Sequence, residues 1–471
     1  MTRGNNDYFE ENEYGEALLR FRRSLTRGKQ QYFDVSEFEG IVEKLLEEGD
    51  ISASEIAILQ GIQIHPGAVP LKIKYAQVLI NKNKTKEALI HLRMIEMVEN
   101  ENPDVFLLKG TAYLLLERKT EAEQAFRKAV KYGGSERDDI LYHIGLAYIR
   151  AGDVKKAVGY YEESYRENPQ NDLTLYELGY FYDQLELFDK SIFYYNRYLD
   201  VDPFNHSVWF NLGITYNKVE KFSKAVACYE YALALKPDFH QALFNMANSY
   251  ANWNKFRKAV KYYKEYIRHD RENDEAFCYL GESYLNLNKN QLSLKYYQKA
   301  IMINEANDTA WFGSGLVHWL EKSYQEGILC IKRATEIDGE ISDYWFSLGK
   351  VLNDAGMGNE AIEAFRKAVL LESDNPELWI TLAEALEKSG KIGEAIEALK
   401  EGVKLNTPDA SIHYRLAAYL LKNNLKKEGL KSLADALIAD PELLSELFDA
   451  YPDAIHSKSV KNLVAKSKPA F

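Results

Sequence analysis

Few residues of this 471-residue sequence have the types and spacing that enzymatic chemistry needs. Three cysteines, Cys228, Cys278 and Cys330, lie far apart in the sequence, and no CxxC pair occurs, so neither a zinc site nor a disulfide framework is expected. The nine histidines are scattered, and no glycine-rich phosphate loop, HExxH or GxSxG motif is present. The sequence therefore predicts no catalytic residue, no metal ligand and no bound cofactor, and we expect the three cysteines to be small packing residues.

Composition and charge favour a folded protein and disfavour nucleic acids and membranes as its binding partners. Hydrophobic residues make up 46% of the chain and charged residues 28%, which is typical of a folded protein. The net charge of −12 disfavours nucleic-acid binding, because neutralising phosphates supplies most of that affinity. No apolar run is long enough to span a bilayer, and the sequence does not begin with a secretory signal pattern. These features predict a cytoplasmic protein without membrane insertion.

A repeat of 34 residues organises most of the chain. Small residues recur at this interval with one 35-residue step, at Ala76, Gly110, Gly145, Gly179, Gly213, Ala247, Gly281, Gly315, Gly349, Ala383 and Ala417. A weaker unit with Val42 at the small position precedes them, so we count twelve units between residues 35 and 443. Positions below are numbered from this small residue.

Other residue types keep the same period. Aromatic residues recur at +3 and +16, small residues at +12, and tryptophan or phenylalanine at −4 in several units. Within each unit, apolar residues recur at i, i+3, i+4 and i+7, which predicts two helices of about 12–14 residues. Prolines 169, 203, 237 and 441 close units, because proline cannot continue a helix.

This order of large and small residues resembles the tetratricopeptide repeat (TPR) family, whose unit has 34 residues. The resemblance implies an all-α fold, a right-handed superhelical α-solenoid of about twelve helix pairs with capping helices at both ends. We therefore expect an N-terminal extension and cap over residues 1–34, the solenoid over 35–443, and capping helices with a frayed tail over 444–471.

The ends and one turn depart from the repeat. Residues 13–28 place Tyr14, Ala17, Leu18 and Phe21 on one helical face, which favours a capping helix; a basic docking site is the alternative, because arginines occupy the other faces. The 35-residue step coincides with Gly133-Gly134. Two glycines permit unusual backbone conformations, and a change of direction or a functional hinge is predicted there.

In TPR proteins the first helix of each pair lines a concave groove, and the resemblance places positions −3, +1 and +4 on that face. Position −3 forms an apolar, mainly aromatic line. It consists of Tyr142, Tyr176, Phe210, Phe244, Cys278, Phe312, Phe346, Ile380 and Tyr414. These side chains either anchor a partner segment or pack against the neighbouring repeat, and the sequence leaves both interpretations open.

Asparagines accompany the aromatic line in the middle of the chain. An asparagine amide can pair with both polar groups of a peptide backbone, whereas simple solvation is the alternative. Asn211 and Asn245 are equivalent and resemble two rungs of the asparagine ladder of O-linked N-acetylglucosamine transferase superhelices. The candidate partner-binding residues are Tyr142, Tyr176, Tyr180, Phe210, Asn211, Ile214, Asn217, Phe244, Asn245, Asn248, Asn252, Phe312 and Phe346.

The function expected from this pattern is a non-enzymatic scaffold that binds a peptide or helical segment of a partner protein in the concave groove. The Lys/Asn pairs with which one TPR subclass holds a chaperone's terminal carboxylate do not occur at positions −3 and +1. The alternative is a structural subunit of a larger assembly that self-associates, with a homodimer as its simplest form.

Overall fold

The structure, a computed structural model, describes residues 15–26, 31–405 and 409–467. Within these ranges every regular element is helical and no strand occurs. The residues divide into two compact units between Lys236 and Pro237, and six helix pairs fall in each. The predicted all-α solenoid of twelve helix pairs is confirmed.

The first unit contains one preceding helix and repeats 1 to 6. The helices are α1 (15–26), α2 (Val35–Glu47), α3 (Ile51–Ile64), α4 (Val69–Asn81), α5 (Thr85–Glu96), α6 (Pro103–Leu115), α7 (Lys119–Tyr132), α8 (Arg137–Arg150), α9 (Val154–Glu167), α10 (Asp172–Gln184), α11 (Phe188–Val201), α12 (His206–Lys218) and α13 (Phe222–Leu235). Even-numbered helices are the first of each pair, and each packs on the helix that follows it.

The second unit contains repeats 7 to 12 and two short terminal helices. The helices are α14 (His240–Asn252), α15 (Phe256–His269), α16 (Asp274–Asn286), α17 (Asn290–Ile303), α18 (Asp308–Leu320), α19 (Tyr324–Ile337), α20 (Ser342–Asp354), α21 (Gly358–Leu371), α22 (Pro376–Lys388), α23 (Ile392–Leu405), α24 (Ala410–Lys422), α25 (Lys426–Ala439), α26 (Ser445–Ala450) and α27 (Lys458–Ser467).

Helices at both ends pack on the adjacent repeat. Ala17, Leu18 and Phe21 of α1 are buried in one cluster with residues of repeat 1. Arg20 and Arg22 form ion pairs with Glu37 and Glu48, which favours the capping interpretation over a basic docking site. Helices α26 and α27 contact α24 and α25. Tyr14 and residues 468–471 of the predicted tail lie outside the described residues, whereas residues 466 and 467 belong to α27.

The small residue at each helix crossing lies beneath the bulky side chain at +16. A Cβ atom on Gly179 would lie 2.6 Å from the Tyr195 ring, and one on Gly281 would lie 2.9 Å from Cδ1 of Tyr297. Such approaches are shorter than carbon–carbon contact distances, so the two helices can pack this closely only without a side chain at the crossing. The period of small and aromatic residues therefore follows from the way the two helices of each pair pack.

Most tyrosines are packing residues, and several stack in pairs across a repeat. Positions +3 and +15 stack with ring centroids 5.4 to 5.6 Å apart in four repeats. The Tyr161 hydroxyl is buried and has no hydrogen-bond partner among the described residues. Its ring lies under Phe181, with centroids 6.1 Å apart, so water does not reach the hydroxyl as it does at the edge of the repeat.

Tryptophans at −4 fix the turns between repeats. The indole nitrogens of Trp209, Trp311, Trp345 and Trp379 each donate to the backbone carbonyl six residues earlier, at 2.9 to 3.0 Å. The extra residue at Gly133-Gly134 is accommodated differently. Gly134 has a φ of +53° and begins a 3-10 turn, Gly134–Glu136, that leads directly into α8.

Candidate functional site

The first helices of repeats 1 to 4 enclose a hollow of about 750 Å³ in the first unit. Every lining residue lies on α2, α4, α6 or α8 or at the start of α8, and each of these helices contacts the next in this series. We call this cavity the N-terminal hollow. Its position agrees with the inner layer of first helices that the resemblance implies.

Apolar side chains of the middle turns form much of the wall of the N-terminal hollow. Ile73 and Leu107 occupy position −3, Leu146 occupies +1, and all three are half-buried. Because i, i+3 and i+4 share one helix face, these residues are presented together by consecutive helices. A half-buried apolar wall of this kind loses water when another apolar surface covers it.

Polar residues line the ends of the same helices. Arg150 of α8 donates to Oδ1 of Asn81 of α4 at 3.2 Å, which joins two first helices that are two repeats apart. Lys74 donates to Glu43 at 3.2 Å. The His143 Nδ1–H donates to the carbonyl of Asp139 at 2.7 Å, which fixes this ring along α8.

The aromatic line predicted at −3 is largely covered within the first unit. Tyr142 is 8% exposed, and its ring lies 5.8 Å from that of Tyr161; burial, with the nearby Glu177 and Asp172 carboxylates, raises the pKa of Tyr142 to about 12. Tyr176 is half-buried and packs on Tyr195.

Phe210 repeats this arrangement and rests on Tyr229 with centroids 5.8 Å apart. The −3 ring therefore packs on the ring nineteen residues later. Tyr180, at +1, is the most exposed of the predicted aromatic residues, at 41%, and Ile214 in the next repeat is half-buried.

In the second unit, Phe244 and Phe346 pack on the ring nineteen residues later, whereas Phe312 packs on a ring of the next repeat. Phe244 contacts Tyr263 and Tyr266, Phe346 contacts Phe365, and Phe312 contacts Tyr344 with centroids 4.5 Å apart. Each of the three phenylalanines remains half-buried rather than fully covered. Position −3 therefore serves packing and still presents one edge.

The asparagines engage groups of the chain itself. Asn211 donates to the Tyr176 hydroxyl at 3.4 Å, and Asn245 donates to the Gln241 carbonyl one turn earlier at 3.0 Å. Asn248 accepts from the Tyr263 hydroxyl at 2.5 Å. The bonds of Asn211 and Asn248 hold these two amides beside tyrosines, whereas Asn245 bonds to its own helix backbone.

The structure places Asn217 half-buried on α12 and Asn252 exposed at the end of α14. The asparagine residues are thus distributed over both units, and within each unit they accompany the first helices.

Nearby, a carboxylate clasp anchors the start of α8 beside the N-terminal hollow. Asp138 Oδ2 accepts from the side chains of Asn168 and Asn171, at 2.7 and 3.0 Å. Burial raises the pKa of Asp138. The hydrogen bonds from the two amides and from two backbone N–H groups together lower it by more than burial raises it, so the pKa lies below its ordinary value. In the second unit, Asp274 forms the same clasp and its pKa is lowered for the same reasons.

This clasp predicts acid-sensitive stability. A carboxylate with a lowered folded-state pKa contributes stability that is present above its unfolded pKa, near 3.8, and is lost as pH falls through the folded pKa. Asp138→Asn is therefore expected to reduce stability at neutral pH by about 1 to 3 kcal/mol and to flatten its decline below pH 4. Urea unfolding at a series of pH values measures both effects. Asp200→Asn, at an exposed carboxylate, is the control and should leave the profile unchanged; equal profiles for both variants would contradict the assignment.

Comparison with known proteins agrees with this architecture. Models of the tetratricopeptide repeat match residues 107–172, 142–206 and 244–308, residues 206–239, and residues 352–419. Together the matches cover more than half of the chain. The chain belongs to the tetratricopeptide repeat family. TPR proteins are generally protein-interaction scaffolds rather than catalysts.

Solved TPR structures are similar at low sequence identity. A TPR protein from Parabacteroides merdae is 17% identical, with a TM-score of 0.42, over 50% of this chain and 93% of that one. YrrB, described as a TPR protein with an unusual peptide-binding site, is 22% identical, with a TM-score of 0.33, over 42% and 97%. The Cut9–Hcn1 structure of the APC/C is 15% identical, with a TM-score of 0.37, over 98% and 95%. A search of curated proteins found no match.

One position with the same backbone conformation in all twelve units of this chain was not predicted from the sequence. The residue at +7 has a positive φ in all twelve repeats and ends the first helix. These residues are Gly49, Asn83, Glu117, Gly152, Glu186, Glu220, Asn254, Asn288, Lys322, Gly356, Gly390 and Asn424. Eight of the twelve are glycine or asparagine, the residues that tolerate this conformation best, so the signal was present in the sequence.

The remaining chemistry-bearing residues are placed apart from the hollow. Cys228 and Cys278 are buried and Cys330 is half-buried; burial raises the pKa of Cys228 and Cys278 to about 12, so neither is a ready nucleophile. No group of histidine, cysteine or acidic residues within the described ranges could hold a metal ion. Among the same residues, no helix is both long and apolar enough to cross a membrane.

Proposed function

We propose that this TPR protein is a non-enzymatic scaffold that binds a segment of a partner protein on the concave face of its first helices. The observation that carries the proposal is the N-terminal hollow, in which four consecutive first helices enclose about 750 Å³ behind a half-buried apolar wall. A cavity of this size and lining suits side chains of an extended or helical peptide.

The predicted residues of α10 and α12 extend this proposed surface within the first unit. Tyr176 and Tyr180 lie on α10, and Asn211, Ile214 and Asn217 lie on α12, at positions equivalent to those that line the hollow. Tyr180 offers the most exposed aromatic face among them. In the second unit, the half-buried edges of Phe244, Phe312 and Phe346 are proposed contacts for apolar groups of a partner segment, and the side chains of Asn245, Asn248 and Asn252 for polar groups.

A matched pair of double variants tests the proposal. Leu107→Asp with Leu146→Asp places carboxylates on the wall of the hollow, whereas Ile90→Asp with Met94→Asp places them on an exposed face of α5, outside it. Partner proteins captured by the full chain should be lost at least tenfold from the first variant and retained by the second. Circular dichroism checks that both variants fold. Retention of every partner by a folded hollow variant would refute the proposal.

The same pair of variants tests self-association. Ile90, Met94, Met97 and Val98 form an exposed apolar stripe along α5 and its C-terminal cap, and such stripes are typical of contact surfaces. If the chain is instead a self-associating subunit, the mass in solution should exceed 54.2 kDa and return to it in the Ile90→Asp, Met94→Asp variant. A monomer at high concentration excludes this alternative.

A further inference from the structure

Carboxylates outnumber cations among the side chains that line the N-terminal hollow. Its lining includes the carboxylates of Glu43, Asp104, Glu136 and Asp139 but only two fixed cations, Lys74 and Arg150. The formal charge of the lining is therefore −2. A concave, partly desolvated surface of one sign attracts and retains groups of the opposite sign.

Both cations are already engaged inside the chain. Lys74 pairs with Glu43, and Arg150 donates to the neutral amide of Asn81. The side chains of Asp104 and Glu136, by contrast, have no hydrogen-bond or ion-pair partner among the residues that the structure describes, and both are exposed. The unbalanced charge thus lies where α6 and α8 begin.

A second carboxylate pair lies on α2. Glu39 precedes Glu43 by one turn and shares its helix face; Glu39 Oε1 is buried without a hydrogen-bond partner among the described residues. Burial raises the pKa of Glu39, although the Lys74 ammonium lowers it, and Glu43 adds a smaller increase. The Lys74 ammonium, which pairs with Glu43, is thus also close enough to Glu39 to affect its pKa, and of these two carboxylates Glu43 lines the hollow.

We propose that the N-terminal hollow binds a segment of a partner protein in which lysine or arginine side chains alternate with apolar ones. This inference rests on the proposed function and adds the chemistry of the partner. The apolar side chains cover Leu107 and Leu146, and the cations face Asp104 and Glu136. Acidic segments are disfavoured, because they would bring like charges against exposed carboxylates.

Selection from a randomised peptide library displayed on phage tests the inference with the full chain as bait. Clones are first sorted by dependence on the hollow, by comparing binding to the wild-type chain with binding to a Leu107→Ser, Leu146→Ser variant, which removes apolar surface from the wall without adding charge. Hollow-dependent clones should be enriched in lysine and arginine over the starting library. Their synthetic peptides should bind about tenfold more weakly to an Asp104→Asn, Glu136→Gln variant, since two exposed charge pairs contribute up to about 1 kcal/mol each.

A charge-matched control separates the hollow from general electrostatics. Glu163→Gln with Asp189→Asn removes two exposed charges from second helices outside the hollow and should leave affinity unchanged. If this control weakens the peptides equally, or if hollow-dependent clones are neutral or acidic, the inference is overturned while the proposed function stands. If no clone depends on the hollow, the proposed function itself fails, and the inference fails with it.

Discussion

Tyr297→Ala is expected to lower the free energy of unfolding of the second unit by about 3 to 5 kcal/mol, the range for deleting a buried aromatic side chain. Tyr297 is 3% exposed and fills the space over Gly281 in its own repeat. Its far edge also lies against Gly313 of α18, where a Cβ atom would stand 2.6 Å from Cε1 of the ring. One deletion therefore opens a cavity both within repeat 8 and between repeats 8 and 9.

The helices in which Tyr297→Ala increases hydrogen exchange test the repeat architecture as directly as the total loss of stability does. In a solenoid each repeat contacts only its neighbours, so stability is a sum of repeat and interface contributions. Amide hydrogen exchange should accelerate in α16, α17 and α18 and remain slow in α24 and α25. Urea unfolding supplies the total loss. A uniform increase in exchange over the whole second unit would contradict nearest-neighbour coupling.

Tyr296→Ala is the matched control for Tyr297→Ala. Tyr296 is the adjacent residue on α17, is half-buried, and stacks on Tyr284 with ring centroids 5.5 Å apart. Its loss removes this pair and a second stacked contact with Phe277, at 6.3 Å, but leaves no enclosed cavity, so a cost of about 1 to 2 kcal/mol is expected. Equal costs for the two tyrosines would show that cavity formation is not what the +16 position prevents.

The fold could be predicted from sequence because one physical requirement repeats in eleven of the twelve units. A small residue must meet a bulky one sixteen positions later, and this spacing records the crossing of two helices. The predicted helix length of about 12–14 residues followed from the apolar period, and prolines such as Pro169 and Pro203, which close units, stand two residues beyond α9 and α11. The +7 turn was missed, because glycine, asparagine, glutamate and lysine share a backbone conformation there rather than a side-chain type.

The candidate site was less predictable, because the exposure of a side chain depends on which residues pack against it, and the 34-residue period does not show this. Tyr142 and Tyr180 both belong to the predicted surface, yet Tyr142 is buried against Tyr161 while Tyr180 is exposed. The N-terminal hollow was not predicted either. Its lining includes the Arg150–Asn81 hydrogen bond. Both residues occupy position +5, two repeats apart, but the 34-residue period does not show that side chains two repeats apart touch.

Gly145→Val is expected to destabilise the first unit by about 3 kcal/mol, through overpacking rather than loss of contacts. A Cβ atom on Gly145 would lie 2.7 Å from Cδ1 of Tyr161, a fully buried ring that is held between Tyr142 and Phe181. The two γ-methyl groups of valine add volume where the ring cannot retreat. Alanine should be tolerated better, because Ala247 and Tyr263 already form such a pair in repeat 7.

Substitution of Gly159, in the second helix of the same repeat, is expected to raise rather than lower the free energy of unfolding. It is exposed, and a Cβ atom there would meet nothing within 4 Å. Gly159→Ala should therefore stabilise the unit by about 0.5 to 1 kcal/mol, because alanine loses less backbone entropy in a helix. Urea unfolding of both variants decides the matter. If both variants are destabilised, these glycines provide flexibility to repeat 4 rather than allowing α8 and α9 to approach closely. If Gly145→Val is destabilised and Gly159→Ala is stabilised, glycine is required at position 145 because the two helices cross there.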